Sequence, residues 1–235
     1  MFAHLLHRAG WPSQCLICRA WPAATLCPRC VARFAGPTPR CETCALPVPE
    51  GVARCGDCLR APPPFDRCLA AADYGWPWTR CIARFKFRHD PGLAAPLAAL
   101  MADAPGVARA LAEADVALPL PLSAERLAER GFNPAQLLAR QLVARTGARC
   151  AVRTDLLLRV RHTEPQHGLP RERRLKNVRG AYAVDPRKAA LLQGRRVALV
   201  DDVMTTGASL REAALALRAA GAEHITALVF ARTDE

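Results

Sequence analysis

The sequence of 235 residues predicts an α/β fold with a Rossmann-like parallel sheet, preceded by a small cysteine-rich module. Between residues 196 and 230, an apolar strand, an amphipathic helix and a second apolar strand follow one another. This order is typical of a βαβ unit, whose two strands are parallel. By contrast, residues 1–60 show no sustained apolar period and cannot bury a core unaided.

Cysteine-x-x-cysteine pairs dominate the first part of the chain, which holds eight of the 11 cysteines. A Cys-x-x-Cys turn presents two sulfurs at one corner of a tetrahedron, so two turns complete a structural Zn²⁺ site. Eight cysteines therefore predict two structural zinc sites, a double zinc ribbon, with no ligand position left for catalytic water. Sequential pairing of the turns needs shorter loops than interleaved pairing, and we favour it. The two expected sets are Cys15, Cys18, Cys27 and Cys30, then Cys41, Cys44, Cys55 and Cys58.

The proline-rich stretch 61–67 predicts a stiff connector between two domains. We expect the double zinc ribbon at residues 10–60 and the α/β domain at residues 68–235. The first half of that domain has the apolar patterns of alternating strands and helices. In order, they predict a strand at 69–74, helices at 78–87, 93–101 and 107–113, and a strand at 115–119.

The middle of the domain begins with a well-marked helix. Asn133 is a good N-cap, Pro134 suits the first helical position, and Gly147 ends the pattern. A strand is expected at 152–158. Residues 159–180 then carry seven cations against two glutamates. This stretch is interpreted either as a basic loop that covers a ligand site or as a solvated, disordered segment.

The most specific motif follows the strand expected at 196–200. Asp201 and Asp202 are placed at the strand's end, and a loop rich in threonine leads into a helix expected at 209–220. A helix N-terminus with hydroxyl groups and a glycine suits a phosphate, whereas two adjacent carboxylates suit ribose hydroxyls. Together they predict a ribose 5-phosphate site. The simpler alternative makes Asp202 a turn residue and Ser209 a helix cap.

The string from Val200 to Gly207 resembles the motif by which type I phosphoribosyltransferases bind phosphoribosyl pyrophosphate (PRPP). The resemblance implies that Asp201 and Asp202 are catalytic if the domain is an enzyme, that Mg²⁺ accompanies PRPP, and that Lys86 neutralises pyrophosphate. The expected PRPP contacts are Asp201, Asp202, Val203, Met204, Thr205, Thr206, Gly207, Ala208, Ser209 and Lys86.

Three further pieces, in this order, resemble the ComF family over almost the whole chain. They are Phe85-Lys86-Phe87, Arg130-Gly131-Phe132-Asn133, and a series of polar residues from Arg159 to Asn177. Many relatives have glutamine where this chain has Pro134. The resemblance implies a role in bringing single-stranded DNA into the cytoplasm, or in its use as a nutrient. The expected contacts of the basic loop are Arg161, Gln166, Arg171, Arg174 and Asn177.

The formal charge of +12 agrees with a polyanionic partner but does not identify it. No run of 18 uncharged apolar residues and no signal peptide occurs, so a cytoplasmic protein is expected. The expected partners are PRPP, single-stranded DNA and other DNA-uptake proteins, with peripheral association with the inner-membrane machinery. Three functions stay open: a PRPP-binding protein that handles DNA, an active phosphoribosyltransferase with an unidentified base as acceptor, and a structural adaptor.

Overall fold

The computed structural model describes residues 13–161 and 177–234. The chain divides into two compact units between Gly36 and Pro37. The smaller unit contains helix α1 (Pro28–Phe34) and a bridge between Ser13 and Ala23. Its small core consists of Cys15, Cys27 and Cys30, with Ile17, Ala23 and Phe34 packed against them.

The larger unit begins with the second half of the cysteine-rich region. The sequence places a boundary at 61–67, but the compact units divide before the second cysteine set. Packing explains the difference, because Phe65 in the proline-rich stretch is buried. It lies in one continuous core with the second cysteine set and residues of the α/β domain.

The larger unit alternates helices and strands. In the part of it that the structure describes, two short 3₁₀ turns occur at Pro91–Leu93 and Pro186–Leu192. The helices are α2 (Gly56–Arg60), α3 (Trp78–Phe87), α4 (Ala94–Asp103), α5 (Val107–Glu113), α6 (Ala124–Arg130), α7 (Pro134–Thr146) and α8 (Ala208–Ala219). The strands are β1 (Arg67–Asp73), β2 (Val116–Pro119), β3 (Ala151–Val152), β4 (Leu157–Arg159), β5 (Tyr182–Val184), β6 (Arg196–Met204) and β7 (His224–Arg232).

Five strands form a parallel sheet in the order β1-β7-β6-β2-β3, which confirms the predicted α/β fold. Helices cover both faces. Val197 and Leu199 of β6 face the core shared with α8, whereas Ala198 and Val200 face the opposite side because side chains alternate along a strand. Helix α7 packs on β2 and β6, and α4 packs on β1 and β7. Strands β4 and β5 form a separate antiparallel pair.

Several predicted elements are confirmed closely. Helix α7 has Asn133 as its cap, with Oδ1 accepting from the Ala135 N–H at 3.0 Å, and it ends at Gly147. The strand expected at 152–158 is wrong. The chain leaves the sheet after Val152, and Leu157 starts the separate pair with β5. In between, Arg153 donates to the Asp155 carboxylate at 2.8 and 2.9 Å and stabilises a turn.

Strand β6 is longer than expected. It continues four residues past Val200, because β7 pairs with it as far as Met204 and Arg232. Asp201 and Asp202 therefore lie within the last part of a strand. Across residues 13–161 and 177–234, no helix combines the length and the apolarity that crossing a bilayer requires.

Candidate functional site

The order of the strands marks one crevice at the carboxyl edge of the sheet. From β2 the chain moves outward to β3, whereas from β6 it moves in the opposite direction to β7. Ligands in open parallel sheets bind where the direction of winding changes, beyond the carboxyl ends of the two strands. That point lies between β2 and β6, and β6 carries Asp201 and Asp202 at this end.

The two aspartates are held in a network with Lys86, which lies in the last turn of α3. Lys86 Nζ lies 2.7 Å from Asp202 Oδ1, and both side chains are largely buried. The Asp202 N–H donates to Asp201 Oδ1 at 2.8 Å. Residues from two distant parts of the sequence thus meet at the end of β6, as the predicted set requires.

Asp201 is the member of this network whose charged form is least favoured. Burial, together with the neighbouring Asp202 carboxylate, raises the pKa of Asp201 to about 8. Lys86 offsets only part of this effect. The ligand-free pair therefore holds less negative charge than two free carboxylates would. A divalent cation or a pair of hydroxyl donors would relieve the repulsion.

The loop after β6 leads directly into the N-terminus of α8. Gly207 occupies the position before the helix with φ of 73°, a left-handed conformation that favours glycine. A Cβ there would lie 2.6 Å from Met204 Cε, so a larger residue would also require the end of the Met204 side chain to shift. The side chains of Met204 and Ala208 are buried. These two predicted contacts therefore have only main-chain groups to offer a phosphate.

Two side chains of the crevice escaped the sequence analysis, Tyr182 of β5 and Arg126 of α6, and a third, Arg159 of β4, was expected only as part of the basic loop. Arg159 Nη1 donates to the Tyr182 hydroxyl at 3.2 Å, and its guanidinium lies 5.4 Å from the ring centroid. A side-chain hydrogen bond joins Tyr182 to Ser209. Burial raises the pKa of Tyr182, which also lies within electrostatic reach of Asp201 and Arg126.

The arginines around Tyr182 concentrate positive charge. Burial lowers the pKa of Arg126, and repulsion by the nearby Arg159 and Arg130 lowers it further. Like charges that destabilise one another in this way favour an anionic ligand. No local signal in the sequence could have shown this group, because its members come from three elements.

The basic loop is only partly described. Arg161 Nη2 donates to the carbonyl of Asn177 at 2.9 Å, so the two ends of the loop are held together. Gln166, Arg171 and Arg174 lie outside the described residues. The Gly180 N–H donates to Glu212 Oε2 of α8 at 2.7 Å, which ties the returning chain to the helix that carries the phosphate loop.

The cysteines group as the sequential pairing predicts. Cys15, Cys18, Cys27 and Cys30 place their sulfurs within 4.8 Å of one another, and so do Cys41, Cys44, Cys55 and Cys58. We call these sets the first and second cysteine clusters. Both suit a tetrahedral zinc ion with four thiolate ligands.

Main-chain groups prepare both clusters for metal. The Cys27 N–H donates to Cys15 Sγ at 3.5 Å, and the Cys55 N–H donates to Cys41 Sγ at 3.3 Å. Burial alone would raise these pKa values, but the N–H groups outweigh it and lower the pKa of Cys15 to about 6 and of Cys41 to about 7. Burial raises the pKa of Cys30 to about 12. Without a cation, each cluster cannot hold four thiolates, so the donor set fits a metal dication.

Comparison with known proteins agrees with this architecture. The phosphoribosyl transferase domain family matches residues 127–235. The DNA utilization protein YhgH of Salmonella typhimurium is 32% identical over 231 residues, which cover 94% of this chain and 98% of the relative. Competence protein F of Haemophilus influenzae is 34% identical over 197 residues, with 83% and 85% covered. The chain has a phosphoribosyltransferase fold and two four-cysteine clusters, and it matches these relatives over most of their length. It therefore belongs to the ComF family.

Proposed function

We propose that this protein binds PRPP together with Mg²⁺ and acts in the cytoplasm in the uptake or utilisation of single-stranded DNA. The first part rests on the network of Asp201, Asp202 and Lys86 beside the N-terminus of α8. This network lies at the point where the direction of chain winding changes. The names of the relatives, DNA utilization protein and competence protein F, support the second part.

Each part of PRPP has a chemical counterpart in the crevice. The main-chain N–H groups and hydroxyls between Thr205 and Ser209 suit the 5-phosphate. Asp201 and Asp202 suit the ribose hydroxyls as acceptors. Mg²⁺ prefers oxygen ligands and neutralises the pyrophosphate. Lys86 and Arg126 would then contact the charge that remains. This arrangement favours tight binding of the complete ligand over any fragment of it.

Zinc is assigned to both cysteine clusters as a structural metal. With four thiolates as ligands, neither cluster would have a coordination position for substrate. The zinc ions would stabilise the regions around them, in which short helices and turns bury little apolar surface. Neither ion takes part in chemistry at the crevice.

Calorimetry with Mg²⁺ and PRPP tests the proposed ligand. Wild type is expected to bind, and Asp201→Asn/Asp202→Asn to lose at least about 100-fold in affinity, because each hydrogen bond to a charged group contributes about 1.5–3 kcal/mol. Asp103→Asn, on an exposed aspartate of α4, is the control and should bind like wild type. Equal affinity of the double variant and wild type would sink the assignment. Release of pyrophosphate across a panel of bases separates turnover from binding alone.

An exposed aromatic side chain next to Lys86 supports a contact with single-stranded DNA. Phe85 is fully buried, but Phe87 is 65% exposed. The guanidinium of Arg130 lies 5.1 Å from the centroid of the Phe87 ring. An exposed ring beside a cation is the usual platform on which a nucleic-acid base stacks. The platform adjoins the PRPP crevice through Lys86.

Replacement of Phe87 by alanine tests this platform. The affinity for an unstructured oligonucleotide is expected to fall at least about fivefold, because base stacking contributes about 1–3 kcal/mol. Leu215→Ala removes a comparably exposed apolar side chain from α8 and serves as the control. Fluorescence anisotropy at two salt concentrations measures both variants. The contact lies elsewhere if Phe87→Ala and Leu215→Ala bind equally well.

A further inference from the structure

We propose that the metal at the second cysteine cluster determines the affinity for PRPP, because Arg232 connects that cluster to the phosphate loop. Here the phosphate loop means residues 205–209. The inference rests on the proposed PRPP function but goes beyond it. It assigns to one of two similar metal sites an effect on ligand binding, and to Arg232 the role of a positioning residue.

Arg232 is a buried arginine at the end of β7, 5% exposed. Its Nε donates at 3.0 Å to the carbonyl of Cys44, which is a residue of the second cluster. Its Nη1 donates to the carbonyls of Met204 at 3.2 Å and Thr205 at 2.5 Å. One guanidinium therefore holds the metal-binding turn and the start of the phosphate loop together.

These bonds orient the peptide groups that a phosphate would contact. In a trans peptide, the N–H points away from the preceding carbonyl. With the carbonyls of Met204 and Thr205 directed at Arg232, the N–H groups of Thr205 and Thr206 face away from it. Loss of the guanidinium would leave the part-buried Thr205 carbonyl without this donor, and its peptide plane would be free to turn. The Met204 carbonyl would keep the Thr233 N–H, which donates to it at 3.1 Å.

Apart from Arg232, packing joins the cluster to the loop, because both contribute residues to one core. A cavity of about 330 Å³ lies between them, lined by Cys55 and Cys58 on one side and by Thr206 and Arg211 on the other. A contact of 3.6 Å between Cys68 Sγ and Met204 Sδ adds packing near the strand end. Since hydrogen bonds are directional whereas apolar packing is not, Arg232 is the link that transmits movement of the metal-binding turn to the peptide groups of the loop.

The first cluster provides an internal control. It lies in the smaller compact unit and packs against Ile17, Ala23 and Phe34 of that unit. The second cluster shares its core with Met204 and Ala208. A metal at the first cluster would therefore stabilise the smaller unit, whereas a metal at the second would stabilise the core beside the phosphate loop. Removal of metal from the first cluster should leave the phosphate loop unchanged.

The experiment compares matched cysteine variants of the full-length chain. Cys58→Ser and Cys30→Ser each remove the last cysteine of one cluster, and elemental analysis should find one zinc lost from each. Calorimetry with Mg²⁺ and PRPP is expected to show about a tenfold loss of affinity for Cys58→Ser and none for Cys30→Ser. Equal affinities of the two variants would overturn the inference.

A second variant keeps the test valid if Cys58→Ser does not fold. Arg232→Lys retains the charge but not the branched donor set, so affinity should fall about tenfold while both zinc ions remain bound. Arg218→Lys is the control, since Arg218 also donates to carbonyls, those of Pro64 and Ala222, but does not contact the loop.

A measurement without PRPP separates this inference from the proposed function. Amide hydrogen exchange of residues 205–209 should accelerate in Arg232→Lys and stay at the wild-type rate in Arg218→Lys. If wild type fails to bind PRPP but the exchange difference appears, the proposed ligand is wrong and the link between Arg232 and the loop stands. Unchanged exchange in Arg232→Lys refutes the link itself.

Discussion

Lys86→Met is expected to lower the free energy of unfolding of the ligand-free protein by about 3 kcal/mol, because it leaves a buried carboxylate without its cation. The Lys86 and Asp202 side chains are only 19% and 10% exposed, and their charged atoms lie 2.7 Å apart. Methionine keeps most of the apolar volume of the lysine stem. The loss therefore reports on charge and not on packing, and urea denaturation measures it.

A second change should restore most of that stability. In Lys86→Met/Asp202→Asn the buried charge is absent as well, so the double variant should be closer to wild type than the single one. Lys188→Met is the control, because Lys188 Nζ lies 2.6 Å from Asp155 but both side chains are more than a third exposed. Such a surface pair contributes at most about 1 kcal/mol. Equal losses for Lys86→Met and Lys188→Met would show that the crevice pair is not desolvated.

Asp201→Asn is expected to stabilise the ligand-free protein and to weaken its binding of PRPP. The folded state raises the pKa of Asp201 to about 8, through burial and the charge of Asp202. An unfolded aspartate titrates near about pH 4, so between these two values the folded protein holds more protons than the unfolded chain. The free energy of unfolding of wild type therefore falls as the pH rises through this window.

Asparagine removes this dependence while its Oδ1 can still accept from the Asp202 N–H. Each unit of difference between the folded and unfolded pKa corresponds to about 1.4 kcal/mol, so a gain of several kcal/mol is expected at about pH 8, decreasing towards about pH 5. Thermal denaturation at several pH values measures the gain. Asp155→Asn is the control with the opposite sign, because hydrogen bonds from Arg153 and Lys188 lower the pKa of Asp155. A destabilised Asp201→Asn at every pH would contradict the argument.

Asp201→Asn is expected to raise stability but to lower affinity, and such a conflict between stability and binding is general at binding sites. Two adjacent carboxylates in a buried crevice destabilise the empty protein, yet they are what a ribose and a divalent cation require. Lys86 reduces this cost in the ligand-free state. Under the proposed function, the same lysine would contact the pyrophosphate once PRPP is bound.

Local patterns were sufficient for much of the fold. The helices at 78–87 and 107–113 occur with the predicted bounds, because apolar period and helix-ending residues are properties of neighbouring positions. The four Cys-x-x-Cys turns likewise predicted two clusters, since each turn carries its own ligand geometry. The strand at 152–158 was wrong, because whether an apolar stretch joins a sheet depends on the strand beside it.

By itself, the sequence determined the class of fold, the cysteine sets and the loop that follows β6, since each is encoded within a short stretch. Only the tertiary structure decided which groups share the crevice: Arg126, Arg159 and Tyr182 meet there from three elements. It also decided that the second cysteine cluster belongs to the core of the larger unit and that Arg232 joins it to the phosphate loop. These contacts join different elements, from 23 positions apart for Arg159 and Tyr182 to 188 for Cys44 and Arg232, and no local pattern records which distant side chains a sheet brings together.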